Sequence, residues 1–258
     1  MSAPSVPASQ VLIVTDLDGT LLDHYDYSFD SVLPVLKKLR AVGIPIVVNT
    51  SKTRREWLAM REQFQNEHAF VIENGSALHL PDGTTHTFGS DHAHILSELA
   101  QFKSDFRFRG FSELGLAGIM KHTGLRPEEA QRAAAREFSE PLLWEDDPSQ
   151  LPTFCERIEQ QGLKTLQGGR FLHILGQTDK AKPLSTLREY YQAKTIIALG
   201  DSANDLAMIE QADIGVLISS PTNPHLTAPN AKRLIRTELQ GPHAWAATMT
   251  RLLDELSI

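Results

Sequence analysis

The chain has a single cysteine, Cys155, among its 258 residues. No intramolecular disulfide can form, and a cysteine-rich zinc site is excluded. It has no excess of positive charge: 25 Lys and Arg stand against 32 Asp and Glu, a formal net charge of −7. General nucleic-acid binders carry a basic face, so that class is disfavoured. No apolar run approaches the ~20 residues that span a bilayer. The start, Met1–Gln10, carries neither Lys nor Arg and no long apolar stretch. It lacks the pattern of a secretory signal and reads as a frayed leader ahead of the first strand. Together these features point to a cytoplasmic protein. What is present is an ordinary globular composition, 41% hydrophobic and 22% charged. That is too apolar for a disordered chain, and the length suits one large domain or two modest ones.

Four short β-branched runs read as strands buried on both faces of a parallel sheet. They are Val11–Thr15, Ile44–Val48, Phe70–Ile72 and Thr195–Leu199. Apolar stripes at helical spacing separate them. Val32, Val35, Leu36, Leu39 and Val42 make one, and Trp57, Leu58, Met60 and Phe64 a second. Leu184, Leu187 and Tyr191 make a third, and Leu206, Met208 and Ile209 a fourth. Alternating strand and helix predicts an α/β fold, doubly wound around a mostly parallel sheet.

The pattern breaks in the middle. Ser76–Leu80 and Thr84–Phe88 flank Pro81-Asp82-Gly83, which reads as a hairpin turn. Helices are expected at His94–Phe102, Pro127–Glu137 and Leu151–Gln161, and strands near Phe106–Arg109, Leu163–Gln167 and Phe171–Leu175. Pro141–Pro152 reads as a loop. The expectation is an inserted α+β cap domain over residues 89–176, within a core formed by residues 1–88 and 177–258.

Polar residues cluster just past the ends of the expected core strands, where open α/β sheets bind ligands. Asp16-Leu17-Asp18-Gly19-Thr20 follows the first run. Two carboxylates so close repel one another unless a cation or proton intervenes, and Mg²⁺ with oxygen ligands would relieve this. Asp201-Ser202-Ala203-Asn204-Asp205 follows a later run. Ser202 and Asp205 fit a capping box, which explains Asp205 as well as metal binding does but leaves Asp201 for the metal. Thr50, Ser51, Lys52 and Thr53 end the second run and open a helix, an arrangement suited to phosphate. Lys180 is expected to open a helix after Gln177-Thr178-Asp179. A cation there opposes the helix dipole, which hints at a phosphate counter-charge.

In this order and spacing, the four motifs resemble the haloacid dehalogenase superfamily of phosphatases. The resemblance makes Asp16 the nucleophile and Asp18 the general acid/base. It gives Mg²⁺ to Asp16, the backbone carbonyl of Asp18, and Asp201, with Asp205 at or supporting the metal site. It gives the phosphoryl oxygens to Thr50 or Ser51 and Lys180, with Asn204 beside them. Such an enzyme would work through an aspartyl-phosphate.

A narrower resemblance spans the whole chain. It rests on Asn49-Thr50-Ser51-Lys52-Thr53, Glu73-Asn74-Gly75, Arg136–Pro141, Gly168-Gly169-Arg170-Phe171-x-His173 and Asp179–Lys182. These are similar to the mannosyl-3-phosphoglycerate phosphatase family, with Ala181 where many relatives have Gly. The resemblance implies a small phosphorylated sugar-acid as substrate and mannosylglycerate, a compatible solute, as product. Within the cap, Arg136 and Arg170 are the candidate substrate ligands, because Arg binds carboxylates bidentately. Their alternatives are a cation at a helix C-terminus for Arg136 and a solvated turn residue for Arg170.

Other residues read as structural. His86, His92 and His94 with Asp91 read as a solvated loop and helix start, Cys155 as a small hydrophobe, and Trp57, Trp144 and Trp245 as packing residues. Two competing functions stay open. A phosphosugar mutase of the phosphomannomutase type would share the first half-reaction, and a glucosyl-3-phosphoglycerate phosphatase would differ only in the sugar. A non-catalytic phospholigand sensor is opposed by intact Asp16, Asp18, Lys180 and Asp201.

Overall fold

The computed structural model describes residues 10–168 and 170–256. The leader reading, apart from Gln10, and Gly169 of the glycine pair lie outside the described residues. The chain opens with β1 (Val11–Thr15), α1 (Leu33–Ala41), β2 (Ile46–Asn49), α2 (Arg54–Met60) and β3 (Phe70–Ile72). β4 (Ala77–His79) and β5 (Thr85–Thr87) form the expected hairpin. Then come α3 (His92–Ala100), β6 (Phe108–Gly110), α4 (Phe111–Thr123), α5 (Pro127–Ala133) and β7 (Ser139–Trp144). α6 (Leu151–Gln160), β8 (Leu163–Gly168) and β9 (Phe171–Gly176) follow. The last stretch holds α7 (Leu184–Tyr190), β10 (Thr195–Gly200), α8 (Leu206–Gln211), β11 (Ile214–Ser219), β12 (Leu234–Gln240) and α9 (Gly241–Glu255).

One sheet has eight strands in the order β12-β11-β10-β1-β2-β3-β4-β5. Neighbours from β12 to β3 are parallel, and the β3-β4-β5 end is antiparallel. β1 explains the fold in miniature. Val11 and Ile13 join a core with Leu36 and Leu39 of α1 and Trp245 and Met249 of α9. Leu12 and Val14 join the opposite core, with Leu184 and Leu187 of α7 and Met208 of α8. Both faces of the strand are buried, so every position must be apolar.

The second sheet, β6-β7-β9-β8, is antiparallel throughout, and all its strands come from residues 108–176. α3 and α6 pack on one face through Ile95, Leu99, Phe154 and Ile158. α4 and α5 form a smaller core with Phe171.

Several expectations need correction. The helix at Pro127 ends at Ala133, and residues 134–138 run out to meet the first sheet's domain. The expected loop at Pro141–Pro152 begins as strand β7. Pro141 is tolerated there because pairing with β6 starts only at Leu142. Lys180 does not open a helix: α7 starts four residues later, at Leu184. The helix-dipole argument for that lysine therefore falls, and its counter-charges lie elsewhere. Val42 and Leu58, placed in apolar stripes, are exposed, and Cys155 is half-buried at the edge of the α3–α6 core.

Candidate active site

The loops after β1 and β10 meet at their ends. Gly19 has φ +77, and a Cβ there would stand 2.7 Å from Asp201 Oδ2. Only glycine lets the two acidic loops approach this closely. Asp16, Asp201 and Asp205 are all buried, and each offers a carboxylate oxygen within 4.8 Å of the others.

Lys180 answers part of this charge. Its ammonium is fully buried and donates to Asp16 Oδ1 at 2.5 Å and to Asp205 Oδ1 at 2.6 Å. The second oxygen of Asp205 accepts the backbone N–H groups of Asp201 (3.1 Å) and Ser202 (3.0 Å). Asp205 thus caps its turn, as one of its two expected roles required, and also holds Lys180, while its carboxylate stays within the acidic group that could bind a metal. Asp201 is held by Thr20 (3.3 Å) and by Ser220 (3.1 Å). Ser220 was not expected from sequence. Its signal was available: it follows an apolar strand, as the other site residues do.

The charges do not balance, and the proton affinities show it. Burial pushes Asp16 well above the usual carboxylate range; Lys180 opposes this, while Asp205, Asp201 and Asp18 reinforce it. Burial, with Asp205 beside it, raises Asp201 to about 6. For Lys180, burial disfavours the charge, but Asp16 and Asp205 outweigh it and hold the group above the ordinary lysine range. An all-oxygen donor set with surplus negative charge fits a hard divalent cation such as Mg²⁺.

Asp18 points elsewhere than Asp16. Its Oδ2 pairs with Lys52 Nζ at 2.9 Å, and its Oδ1 is buried with no hydrogen-bond partner. Thr50 is buried, and its Oγ1 accepts the N–H of Lys52 at 3.1 Å, leaving the hydroxyl proton free to donate. Asn49 ties this loop to the lysine loop by donating to the Lys180 carbonyl at 2.8 Å. Ser51 is half-buried, and its carbonyl accepts from Arg136.

Glu73-Asn74-Gly75 joins these loops. All three have positive φ. The N–H of Asn74 donates to the Thr50 carbonyl at 3.0 Å, and its side chain accepts from Asn204 Nδ2 at 2.9 Å. The Gly75 carbonyl accepts from Thr178 at 2.9 Å, and a Cβ on Gly75 would collide with the Asp179 carbonyl. Glu73 accepts from the N–H groups of Glu137 (2.9 Å) and Phe138 (3.1 Å) and from the Ser139 hydroxyl (2.6 Å). These bonds fasten the α5–β7 segment to the first sheet's domain.

Arg136 lies in that segment and is nearly buried. It donates to the carbonyls of Ala133 and Ser51, both at 2.9 Å. The first contact is the helix C-terminal role considered from sequence, and the second braces the phosphate-loop candidate. Arg170 is exposed, and its guanidinium donates to the His122 carbonyl at the end of α4. It does not join the cluster around Asp16. Of the histidines, His92 pairs with buried Glu140 at 2.7 Å, and Asp91 caps α3 by accepting the His94 N–H.

The profile of haloacid dehalogenase-like hydrolases matches residues 13–228. A "glucosyl-3-phosphoglycerate/mannosyl-3-phosphoglycerate phosphatase" of Persephonella marina is 32% identical, across 95% of this chain and 98% of its own. A protein of the same name from Methanococcoides burtonii is 34% identical, across 95% and 97%. Among solved structures, a haloalkanoate-superfamily phosphatase from Bacteroides thetaiotaomicron aligns with a TM-score of 0.69 at 20% identity. That alignment covers 99% of this chain and 98% of the other and supports the fold. The chain therefore belongs to the haloacid dehalogenase-like hydrolase family, as one of its phosphatases.

Proposed function

We propose that the protein is a Mg²⁺-dependent phosphomonoesterase acting through an aspartyl-phosphate, with mannosyl-3-phosphoglycerate as its first candidate substrate and the glucosyl compound as the second. One observation carries the mechanism. Asp16 has one oxygen fixed by buried Lys180, while neighbouring Asp18 has a buried oxygen without a partner. A held nucleophile and an available proton carrier are what two successive displacements at phosphorus require.

In this reading, Asp16 attacks phosphorus as the ester P–O bond breaks, and Asp18 gives its proton to the departing oxygen. Asp18 then takes a proton from the water that attacks the aspartyl-phosphate, releasing phosphate and restoring Asp16. Asp16, Asp201 and the carbonyl of Asp18 would hold Mg²⁺, which would neutralise charge on the phosphoryl oxygens. Asp205 keeps Lys180 in place. Thr50 or Ser51, with Lys180, faces the phosphoryl group, and Asn204 lies beside them.

Residues 89–176 serve as the cap over a core of 1–88 and 177–258. Arg136 joins cap to phosphate loop, and Arg170 is one of several exposed cations of the cap. The sugar-acid substrate class is supported by the names of relatives that match almost end to end. The test is phosphate release from mannosyl- and glucosyl-3-phosphoglycerate, side by side with other sugar phosphates, in Mg²⁺. Asp16→Asn, run in parallel, should lose several orders of magnitude in turnover, since nucleophile and metal site act as a unit. Release from neither glycosyl compound would overturn the substrate, and a tenth of the wild-type rate in Asp16→Asn would overturn the nucleophile.

A further inference from the structure

We infer that Lys52 is a specificity-determining residue that receives the substrate's carboxylate on the leaving-group side of the site. The inference rests on the proposed phosphomonoesterase reading and names the chemistry of its leaving group. An acid/base residue must touch the ester oxygen that departs. Asp18 holds that position, so the leaving group begins there. Lys52 Nζ lies 2.9 Å from the same Asp18 carboxylate. In a 3-phosphoglycerate the carboxyl carbon is separated from the ester-bearing carbon by a single carbon. A leaving group of that shape, with its ester oxygen at Asp18, brings its carboxylate within reach of the Lys52 ammonium.

Of the other cations, Lys164, which lines the cavity beside Lys180 and Asn204, donates to the Thr178 carbonyl at 3.1 Å. Lys180 is fully buried between Asp16 and Asp205. Arg136 is held by two carbonyls and is 6% exposed. Arg170 turns to His122. Lys52 is held by one carboxylate and keeps donors to spare. Its side chain is 17% exposed, and the Asp18 carboxylate is the one hydrogen-bonding partner of Nζ among the described residues. An ammonium carries three donors, so two remain for a ligand. The backbone fixes its place: its N–H donates to Thr50 Oγ1, and its carbonyl accepts from Glu73. The exposed ring of Tyr27 lies 5.6 Å from Nζ and forms the outer wall of this corner.

The consequence is selectivity for phosphate esters bearing a carboxylate close to the ester carbon. The test compares kcat/KM for two matched pairs in the full-length protein with Mg²⁺. One pair is glycosyl-3-phosphoglycerate and its carboxyl methyl ester; the other is 3-phosphoglycerate and glycerol 3-phosphate. Wild type should prefer the carboxylate member of each pair. Lys52→Met should lower rates on every ester, because Asp18 loses its partner, and should additionally shrink the carboxylate preference about ten- to hundredfold. Lys52→Arg should keep most of the preference.

An unchanged preference in Lys52→Met, with all substrates losing equally, would make Lys52 a positioning residue for Asp18 and overturn the inference. So would a wild-type enzyme indifferent to the carboxylate in both pairs. A wild type inactive on the glycosyl compounds would count against the proposed substrate, while the 3-phosphoglycerate pair would still decide the role of Lys52.

Discussion

Asp201 holds a proton to about pH 6 because it is buried beside Asp205, and Asp16 is displaced the same way by its own burial. The sign of the consequence follows from linkage. Carboxylates with raised folded-state values bind more protons folded than unfolded, so in metal-free protein the stability contribution of Asp201 falls as pH rises through about 6, and that of Asp16 is lost in the same direction. Above that value the charges are uncompensated, and a divalent cation can replace the protons. Mg²⁺ should therefore raise Tm strongly at pH 8 and weakly at pH 5, where protons compete. A thermal-shift series at fixed Mg²⁺ checks this, and an equal shift at both pH values would contradict the cluster's role. At this scale the sequence was informative where chemistry is local. Asp16, Thr50 and Asp201 were legible because each follows its strand directly, and Asp18 because it stands two residues beyond Asp16. The second duty of Asp205, holding Lys180, was not, because it depends on a contact across 25 residues. The grip of Glu73 on residues 137–139 was invisible for the same reason, whereas Ser220 could have been read from its place after an apolar run.

Among elements, buried strands were read unevenly: β11, buried along almost its whole length, was passed over. β1 and β3 have the boundaries that their apolar runs suggested. α4 escaped notice because Gly115, at φ +61, interrupts its helical path and blurs the periodicity. β12 was missed as a half-exposed edge strand, LIRTELQ, whose polar residues hide its pairing. The β1–β10 loop pair offers a direct test of close approach. Gly19→Ala combines a positive φ with a contact against Asp201, whereas Gly83→Ala has a positive φ and open space. Each variant should be destabilised by about 1–3 kcal/mol through backbone strain, on the order of 2–10 °C in Tm. Only Gly19→Ala should also weaken the stabilisation by Mg²⁺. Indistinguishable variants in both readouts would mean that the Gly19 contact does not shape the acidic site.

At the level of the whole molecule, the doubly wound core and a second sheet inserted into it were legible from the alternation of strand and helix and its interruption. How the two parts meet was not. Residues 132–139 bind the core through Thr53, Ser51 and Glu73, and the Glu137 carbonyl also accepts the N–H of His92, just past the first crossing between the sheets. That clasp sits on the loop that carries Thr50 and Lys52, so the second sheet and that loop are joined by hydrogen bonds. The central claim is that phosphorus passes through Asp16. Asp18→Asn keeps the backbone carbonyl but cannot carry the proton, so turnover should fall ~10²–10⁴-fold. With 4-nitrophenyl phosphate, whose leaving group needs no proton, the first displacement should outrun the second and the aspartyl-phosphate should accumulate. The deciding measurement is acid quench of Asp18→Asn with this substrate and Mg²⁺, followed by peptide mass analysis. The account predicts one added phosphoryl group on the peptide containing Asp16. A phosphoryl group on another residue, or continued phosphate release with none on any peptide, would contradict it.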